Sequence, residues 1–215
     1  NSLKIKRIYE MIPSNMENKK KRLNYKDIEN KKGKRSSDYE EELEYLISLG
    51  ISLEVLAISN PKFPLKESEQ KRLIKLYLND VGLLTNLLYR YNIDAVISSN
   101  NSINLGAVYE TVVAQELCAH GFALKYYDNK VKGEVDFLVD DYNSLSALPI
   151  EVKSGQDFRR HRALDKFIDN KDYNIKNAIL FSNDRTVTRH GKLVYMPIYY
   201  AMFLKPSTPK SILIK

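Results

Sequence analysis

Two short segments, residues 134–139 and 149–155, alternate apolar with charged side chains. A period of two is typical of a half-buried β-strand, because successive side chains of a strand point to opposite faces. We therefore expect Asp136 in the first strand, and Glu151 and Lys153 in the second, to project from one face of a sheet. Two carboxylates and an ammonium on neighbouring strands form an arrangement that binds a divalent cation.

The same alternation makes a prediction about the apolar side chains of these strands. Val135, Phe137 and Val139 should point together to the face opposite the acids, and Ile150 and Val152 should share a face on the second strand.

A further acidic residue stands in an apolar helical pattern over residues 106–120. Glu110 lies three, four and seven residues before Val113, Ala114 and Leu117, so it shares their face of the helix. A carboxylate turned toward a core needs a partner or a metal, because burying it unpaired is costly.

If Glu110, Asp136 and Glu151 lie near one another, they repel by a few kcal/mol per close pair at an intermediate dielectric. Mg²⁺ removes that penalty, and it binds one or two carboxylates together with waters and substrate phosphates. Lys153 would offset the remaining charge and orient an attacking water or stabilise a pentavalent phosphate. The alternative is a set of surface charges on an edge hairpin, in which Glu151 and Lys153 form a pair worth little.

The net charge of +7 is concentrated near the start of the chain, where residues 1–35 contain twelve basic and four acidic residues. Such a cluster suits a phosphate backbone, although a solvated, mobile surface is an equal alternative. A second group of basic residues opens the helix predicted after the Glu-x-Lys strand, and it allows the same two interpretations. The candidate nucleic-acid-binding residues are Lys19, Lys20, Lys21, Arg22, Arg159 and Arg160.

Other polar residues give weaker indications. His120, His161 and His190 lack the spacing of metal ligands, and we interpret them as structural or exposed. Cys118 cannot form an internal disulfide, which is consistent with a cytoplasmic protein. No apolar run approaches the roughly 20 residues of a membrane span, and no secretory signal is present, so no membrane partner is expected.

The order of elements predicts two domains, residues 1–91 and 106–215, joined by a linker over 92–105. Three helices followed by a hairpin is the order of a winged helix in a small α+β domain, or of any small helical domain with a hairpin. The second domain should be α/β, with a mixed sheet flanked by helices. The predicted helices cover 3–12, 25–29, 39–49 with an N-cap at Ser37 and Asp38, 80–91, 106–120 and 157–169; the predicted strands cover 51–58, 72–78, 122–128, 134–139, 149–155, 177–182 and 193–198.

Residues 106–116, 134–137 and 150–155 resemble the PD-(D/E)xK nuclease-like superfamily. Together with residues 12–14 and 75–84, they resemble more narrowly the C-terminal domain of unknown function of bacterial and archaeal AAA-family ATPases. This resemblance spans nearly the whole chain.

The resemblance implies a restriction-endonuclease-like fold with Mg²⁺ as the cofactor. The superfamily's helix carboxylate would fall on Glu110, its metal-binding Asp on Asp136, and its Glu-x-Lys pair on Glu151 and Lys153. Val135 stands where the superfamily often has Pro. The resemblance also implies an ATPase module upstream of residue 1, although the chain itself has no Gly-x-x-x-x-Gly-Lys-Ser/Thr motif.

Three functions are compatible with these patterns. The first is Mg²⁺-dependent hydrolysis of phosphodiesters in DNA or, less readily, RNA. The second is a non-catalytic DNA-binding or regulatory module. The third is a protein-interaction domain that docks onto its own ATPase module or another partner and uses the nuclease fold as a scaffold.

Overall fold

A computed structural model describes residues 1–18, 21–90, 92–98, 103, 105–129, 131–155 and 157–207. The chain divides into two compact units. The first combines Asn1–Ala57 with Gln70–Gln115, and the second combines Ile58–Glu69 with Glu116–Lys215. Within the described residues, no helix is long and apolar enough to cross a lipid bilayer.

The first unit is mainly helical and contains two neighbouring strands. A 3₁₀ turn at Ser36–Tyr39 precedes its third helix. Its elements are α1 (Ser2–Glu17), α2 (Tyr25–Glu29), α3 (Glu40–Ser48), β1 (Ser52–Ile58), β2 (Glu69–Leu78), α4 (Val81–Tyr89), α5 (Ile93–Ile97) and the larger part of α6 (Gly106–Ala119).

Helix α1 continues through Pro13, so the predicted end at residue 12 is wrong. The physical reason is the apolar stripe of Ile8, Ile12 and Met16, which are all buried and follow one another at intervals of four residues. Burial of this stripe outweighs the hydrogen bond that a proline removes from a helix interior.

One further prediction for the first unit needs correction. Helix α3 begins at Glu40, because Asp38 instead closes the preceding 3₁₀ turn by accepting a 2.8 Å hydrogen bond from the backbone N–H of Arg35. The linker predicted over 92–105 stays a prediction; the described residues there include the short helix α5, and residues 99–102 and 104 lie outside the described part of the chain.

The second unit contains a mixed sheet, which confirms the predicted α/β class. The strands follow the spatial order β3-β4-β5-β6-β8-β7. Pairing is antiparallel from β3 to β5 and between β7 and β8, and parallel from β5 through β6 to β8. The elements are β3 (Lys125–Asn129), β4 (Gly133–Asp141), β5 (Ser146–Val152), α7 (Arg162–Asp169), β6 (Ala178–Ser182), β7 (Thr188–His190) and β8 (Leu193–Pro197), with 3₁₀ turns at Leu65–Ser68, Lys171–Tyr173 and Ile198–Phe203.

Strand β4 carries an extra residue relative to β3. Tyr127 pairs with Val135 and Lys125 pairs with Leu138, so β3 advances by two residues while β4 advances by three. This bulge breaks the predicted alternation: Val135 belongs to the same buried cluster as Leu138, instead of sharing a face with Phe137 and Val139. Bulges of this kind re-aim side chains and are frequent beside active sites. Asp136 lies within the bulge.

Helix α7 packs against β4 through an amphipathic face. Leu164, Phe167 and Ile168 are buried at helical spacing, whereas the charged side chains of the helix are exposed. The helix begins at Arg162 rather than at 157, because residues 157–160 form a turn closed by a backbone hydrogen bond from Arg160 to Asp157.

Candidate functional site

Asp136 and Glu151 are buried on neighbouring antiparallel strands. Phe137 pairs with Ile150, and Asp136 and Glu151 are the residues directly beside this pair on the two strands. Their relative exposures are only 7% and 5%. Close carboxylates in such surroundings repel unless protons, cations or hydrogen-bond donors offset their charge.

Two groups, one at the end of β5 and one directly after it, contact one carboxylate each. The backbone N–H of Val152 donates a 2.9 Å hydrogen bond to Oδ2 of Asp136. The Nζ atom of Lys153 lies 2.6 Å from Oε1 of Glu151. The Lys153 side chain is 34% exposed, so the lysine that contacts the buried Glu151 is also accessible to solvent.

The loop that follows Lys153 is held against the next strand. The N–H of Lys153 donates to the carbonyl of Phe181 at 2.9 Å, and the side-chain amide of Asn183 donates to the carbonyl of Ser154 at 2.9 Å. Strands β5 and β6 are parallel, and ligands of α/β sheets bind beyond the carboxyl ends of such strands. Sequence reasoning missed Asn183, whose role depends on which strand lies beside β5.

The donor set of this site suits a hard divalent cation. Asp136 and Glu151 supply carboxylate oxygens, which Mg²⁺ prefers, and two carboxylates with waters and substrate phosphate suffice for Mg²⁺. Within the described residues, no group of three or more His, Cys, Asp or Glu side chains could hold a metal ion. The residues present therefore fit a two-carboxylate site, and the role of Glu110 as a third ligand stays a prediction.

In the first unit, Glu110 has partners from two other segments. Its carboxylate forms an ion pair with the ammonium of Lys21 and accepts a 3.3 Å hydrogen bond from the hydroxyl of Tyr77. Glu110 is 3% exposed, as expected for the apolar face of α6, while the Lys21 side chain is 22% exposed. Lys21, one of the candidate nucleic-acid ligands, thus neutralises a buried acid.

Other members of the basic cluster have different surroundings. Lys19 and Lys20 lie outside the described residues. Arg22 is half-buried and lines a groove of about 630 Å³ in the first unit, to which Lys26, Lys34 and Arg72 also contribute. Arg72 was not singled out in the sequence, because it is distant along the chain from the cluster of residues 1–35.

Arg159 and Arg160, the remaining candidates, are both exposed but differ in their contacts. Arg160 pairs with Asp157 at 3.1 Å. The guanidinium of Arg159 lies 5.8 Å from the centre of the Phe158 ring. Their shared prediction as nucleic-acid ligands stays a prediction.

Burial raises the pKa of two side chains in the second unit, a thiol and a carboxyl group. It raises the pKa of the Cys118 thiol to about 11, so this side chain stays protonated and weakly nucleophilic at neutral pH. Burial also raises the pKa of Asp140, on β4, above its ordinary value, although the N–H of Leu65 donates a 3.0 Å hydrogen bond to its carboxylate.

Two family models match the chain. A domain of unknown function (DUF8612) matches residues 1–94, and a second domain of unknown function (DUF4143) matches residues 105–201. A search of curated proteins and a search of solved structures each returned no match. The second matched region contains the buried carboxylates and Lys153, and it is similar in sequence to that family.

Proposed function

We propose that the second unit is a PD-(D/E)xK nuclease-like domain with a restriction-endonuclease-like sheet, and that it hydrolyses DNA phosphodiester bonds with Mg²⁺. The observation that carries this proposal is that two buried carboxylates, Asp136 and Glu151, lie on neighbouring strands and that the ammonium of Lys153 contacts Glu151. The resemblance in sequence further supports a place in the C-terminal portion of an AAA-family ATPase.

In this proposal, each side chain has a distinct task. Asp136 and Glu151 hold the cation, which supplies Lewis-acid charge to the phosphate oxygens. The Val152 N–H keeps Asp136 oriented, and Lys153 donates hydrogen bonds to the attacking water or to the charge that develops on phosphate. Water adds across one P–O ester bond, so that phosphorus gains a hydroxyl and the leaving alcohol gains a proton.

Cleavage assays with single-stranded, double-stranded and branched DNA test this function. With Mg²⁺ or Mn²⁺, the wild-type protein should cleave at least one substrate, and Lys153→Ala should lower the rate about 10²–10³-fold. Lys166→Ala is the control, because Lys166 is an exposed lysine on α7. Circular dichroism should show both variants folded.

Two outcomes would contradict the proposal. Wild-type protein that leaves all three substrates intact with either ion would remove its basis. Equal cleavage by wild type, Asp136→Asn and Lys153→Ala would assign the activity to another site or to a contaminant.

A second candidate is DNA binding without cleavage, by a winged-helix-like first unit. Its support is the groove in which Arg22, Lys26, Lys34 and Arg72 meet, since grooves lined by cations track a phosphate backbone. The ion pair between Lys21 and Glu110 also favours binding without cleavage. The superfamily uses the corresponding helix carboxylate for metal, whereas here that carboxylate pairs with the ammonium of Lys21.

DNA binding by the first unit should be salt-dependent and independent of Asp136. Arg72→Gln should weaken binding and reduce the slope of log K against log salt by about 1. Lys6→Gln is the control, since exposed Lys6 faces Glu10 at 3.8 Å outside the groove. Equal affinities of the two variants, or no DNA binding at low salt, would contradict this candidate.

A further inference from the structure

The second unit contains a small pocket away from the carboxylate pair. It is lined by Phe158, Arg159, Thr188, His190 and Tyr195, and its volume is about 160 Å³. Sites for whole cofactors or drug-sized ligands usually occupy about 300–1,000 Å³. The pocket is therefore of a size for one small chemical group.

A chain of polar contacts fixes one wall of this pocket. The hydroxyl of Tyr195 lies 2.7 Å from Nε2 of His161, and Nδ1 of the same imidazole lies 2.9 Å from Oδ1 of Asp165. Tyr195 and His161 are both more than nine-tenths buried. Burial raises the pKa of Tyr195 above its ordinary value of 10.0, so the phenol stays neutral at physiological pH.

Aromatic contacts hold the other walls against Tyr195. Its ring centre lies 5.5 Å from that of His190, in an edge-on arrangement, and 6.3 Å from that of Phe158. Such ring pairs restrict the rotamers of all three side chains. The pocket is thus formed before any ligand arrives, which lowers the entropic cost of binding.

The polar groups at the pocket suit an anion. Arg159 contributes a guanidinium, Thr188 a hydroxyl and His190 an imidazole, and all three are exposed. Within the described residues, Arg159 makes no ion pair, whereas Arg160 is engaged by Asp157. Asp165, whose charge acts on Tyr195, contacts His161. The guanidinium fork matches the tetrahedral oxygens of phosphate, and hydroxyl and imidazole N–H groups add donors.

We propose that this pocket binds a phosphoryl anion, with Arg159 as its main ligand and with Thr188 and His190 as additional donors. The phosphoryl group belongs either to a small phosphate or to the backbone of a nucleic-acid strand. Binding here requires neither a metal ion nor Asp136, so it stands apart from the cleavage activity proposed above.

Calorimetric titration of the full chain with inorganic phosphate and with a single-stranded trinucleotide tests the proposal at low ionic strength. Arg159→Gln should weaken binding of at least one probe roughly tenfold or more, because it removes the charged fork. Arg185→Gln is the control: it removes the same charge from an exposed arginine that does not line the pocket, and it should change affinity by less than about twofold. Circular dichroism should show both variants folded.

The two probes distinguish the source of the phosphoryl group. A loss confined to inorganic phosphate assigns the pocket to small phosphates, and a loss with the trinucleotide assigns it to a strand. Asp136→Asn should bind both probes as wild type does. Equal affinity of Arg159→Gln and Arg185→Gln for both probes, or no binding of either probe by the wild type, would overturn the inference.

Discussion

Two buried carboxylate centres of this protein differ in how their charge is met. In the first unit, Glu110 receives an ammonium from Lys21, 89 residues away in the sequence, and a hydroxyl from Tyr77. In the second unit, Asp136 and Glu151 lie on neighbouring strands, and the ammonium that contacts Glu151 comes from Lys153, two residues further along the same segment.

The difference separates a stabilising contact from an arrangement suited to chemistry. One carboxylate and one ammonium neutralise each other, so the Glu110 centre can contribute to folding. Among Asp136, Glu151 and Lys153, the carboxylates outnumber the cation. An excess of negative charge in a buried place is unfavourable for stability, and proteins commonly retain such excess where it binds a cation or reacts.

The largest effect on stability is expected at Lys21, because its replacement removes the ammonium that distinguishes the Glu110 centre from the other one. Lys21→Met leaves the buried Glu110 without this ammonium and should lower the free energy of unfolding by up to about 3–5 kcal/mol. Adding Glu110→Gln should restore much of the loss, since a neutral amide costs less to bury than a charge. Urea denaturation of both single variants and the double variant measures the coupling.

Lys6→Met is the control for that cycle. Its partner Glu10 is 3.8 Å away and both side chains are largely exposed, so the loss should stay below about 1 kcal/mol. Strictly additive losses in the Lys21 and Glu110 variants would show that their ion pair does not stabilise the first unit.

A smaller loss of stability is expected from a substitution on β4, the strand that carries Asp136 of the second centre. Gly133, at the start of β4, has φ +95, and an added Cβ would lie 2.7 Å from the Cβ of Ala163 on α7. Gly133→Ala should therefore cost roughly 2–4 kcal/mol through backbone strain and displacement of α7. Thermal and urea unfolding measure it.

Gly121→Ala is a matched control for this substitution. Gly121 has φ +87 but nothing within 4 Å of the added Cβ, so it shares the strain without the clash. If the two variants lose equal stability, the close contact between β4 and α7 contributes nothing.

The smallest effects on stability are expected at acidic pH. Titration of Glu29 in the first unit and of Asp140 in the second should change the stability in opposite directions. In the first unit, the Tyr39 hydroxyl donates a 2.8 Å hydrogen bond that lowers the pKa of Glu29 below 4.5. The stability that Glu29 contributes is present above that value and is lost as the pH falls through its lowered pKa.

Asp140 should behave conversely, because burial raises its pKa above 3.8. The folded state then holds the proton more tightly, so stability decreases as the pH rises through the raised pKa. Asp140→Asn, which keeps an oxygen to accept from the Leu65 N–H, should slightly stabilise the protein at pH 7, and Glu29→Gln should destabilise it. Carboxyl-carbon NMR titration and unfolding midpoints measured from pH 3 to 7 test this. If both substitutions change the stability at pH 7 in the same direction, the opposite pKa shifts of Glu29 and Asp140 are wrong.

At alkaline pH, the same contact in the first unit has a second consequence. Burial, followed by the hydrogen bond to Glu29, raises the pKa of Tyr39 from 10.0 to about 12. The associated stability is complete below pH 10 and decreases as the pH rises from 10 to about 12. Tyr39→Phe should remove this loss, as measured by unfolding at pH 8 and pH 11.

Much of the fold was predictable because periodicity is a local property. The pattern over residues 106–120 predicted α6 almost to its ends, and the element order predicted a strand over 177–182, where β6 lies. Strand β7 escaped prediction, since its three exposed residues carry no apolar pattern. Its pairing with β8 supplies the stabilisation that its own sequence lacks.

The sequence by itself determined which residues could do chemistry: the placement of Asp136 and Glu151 on strands, and of Glu110 on the inner face of a helix, follows from the periods of strand and helix. Only the tertiary structure decided their partners. The ion pair from Lys21 and the contact of His161 with Tyr195 join segments distant in sequence, and the bulge at Asp136 depends on how β3 pairs with β4. Such contacts depend on which strand pairs with which and in what register, and no local period encodes that choice.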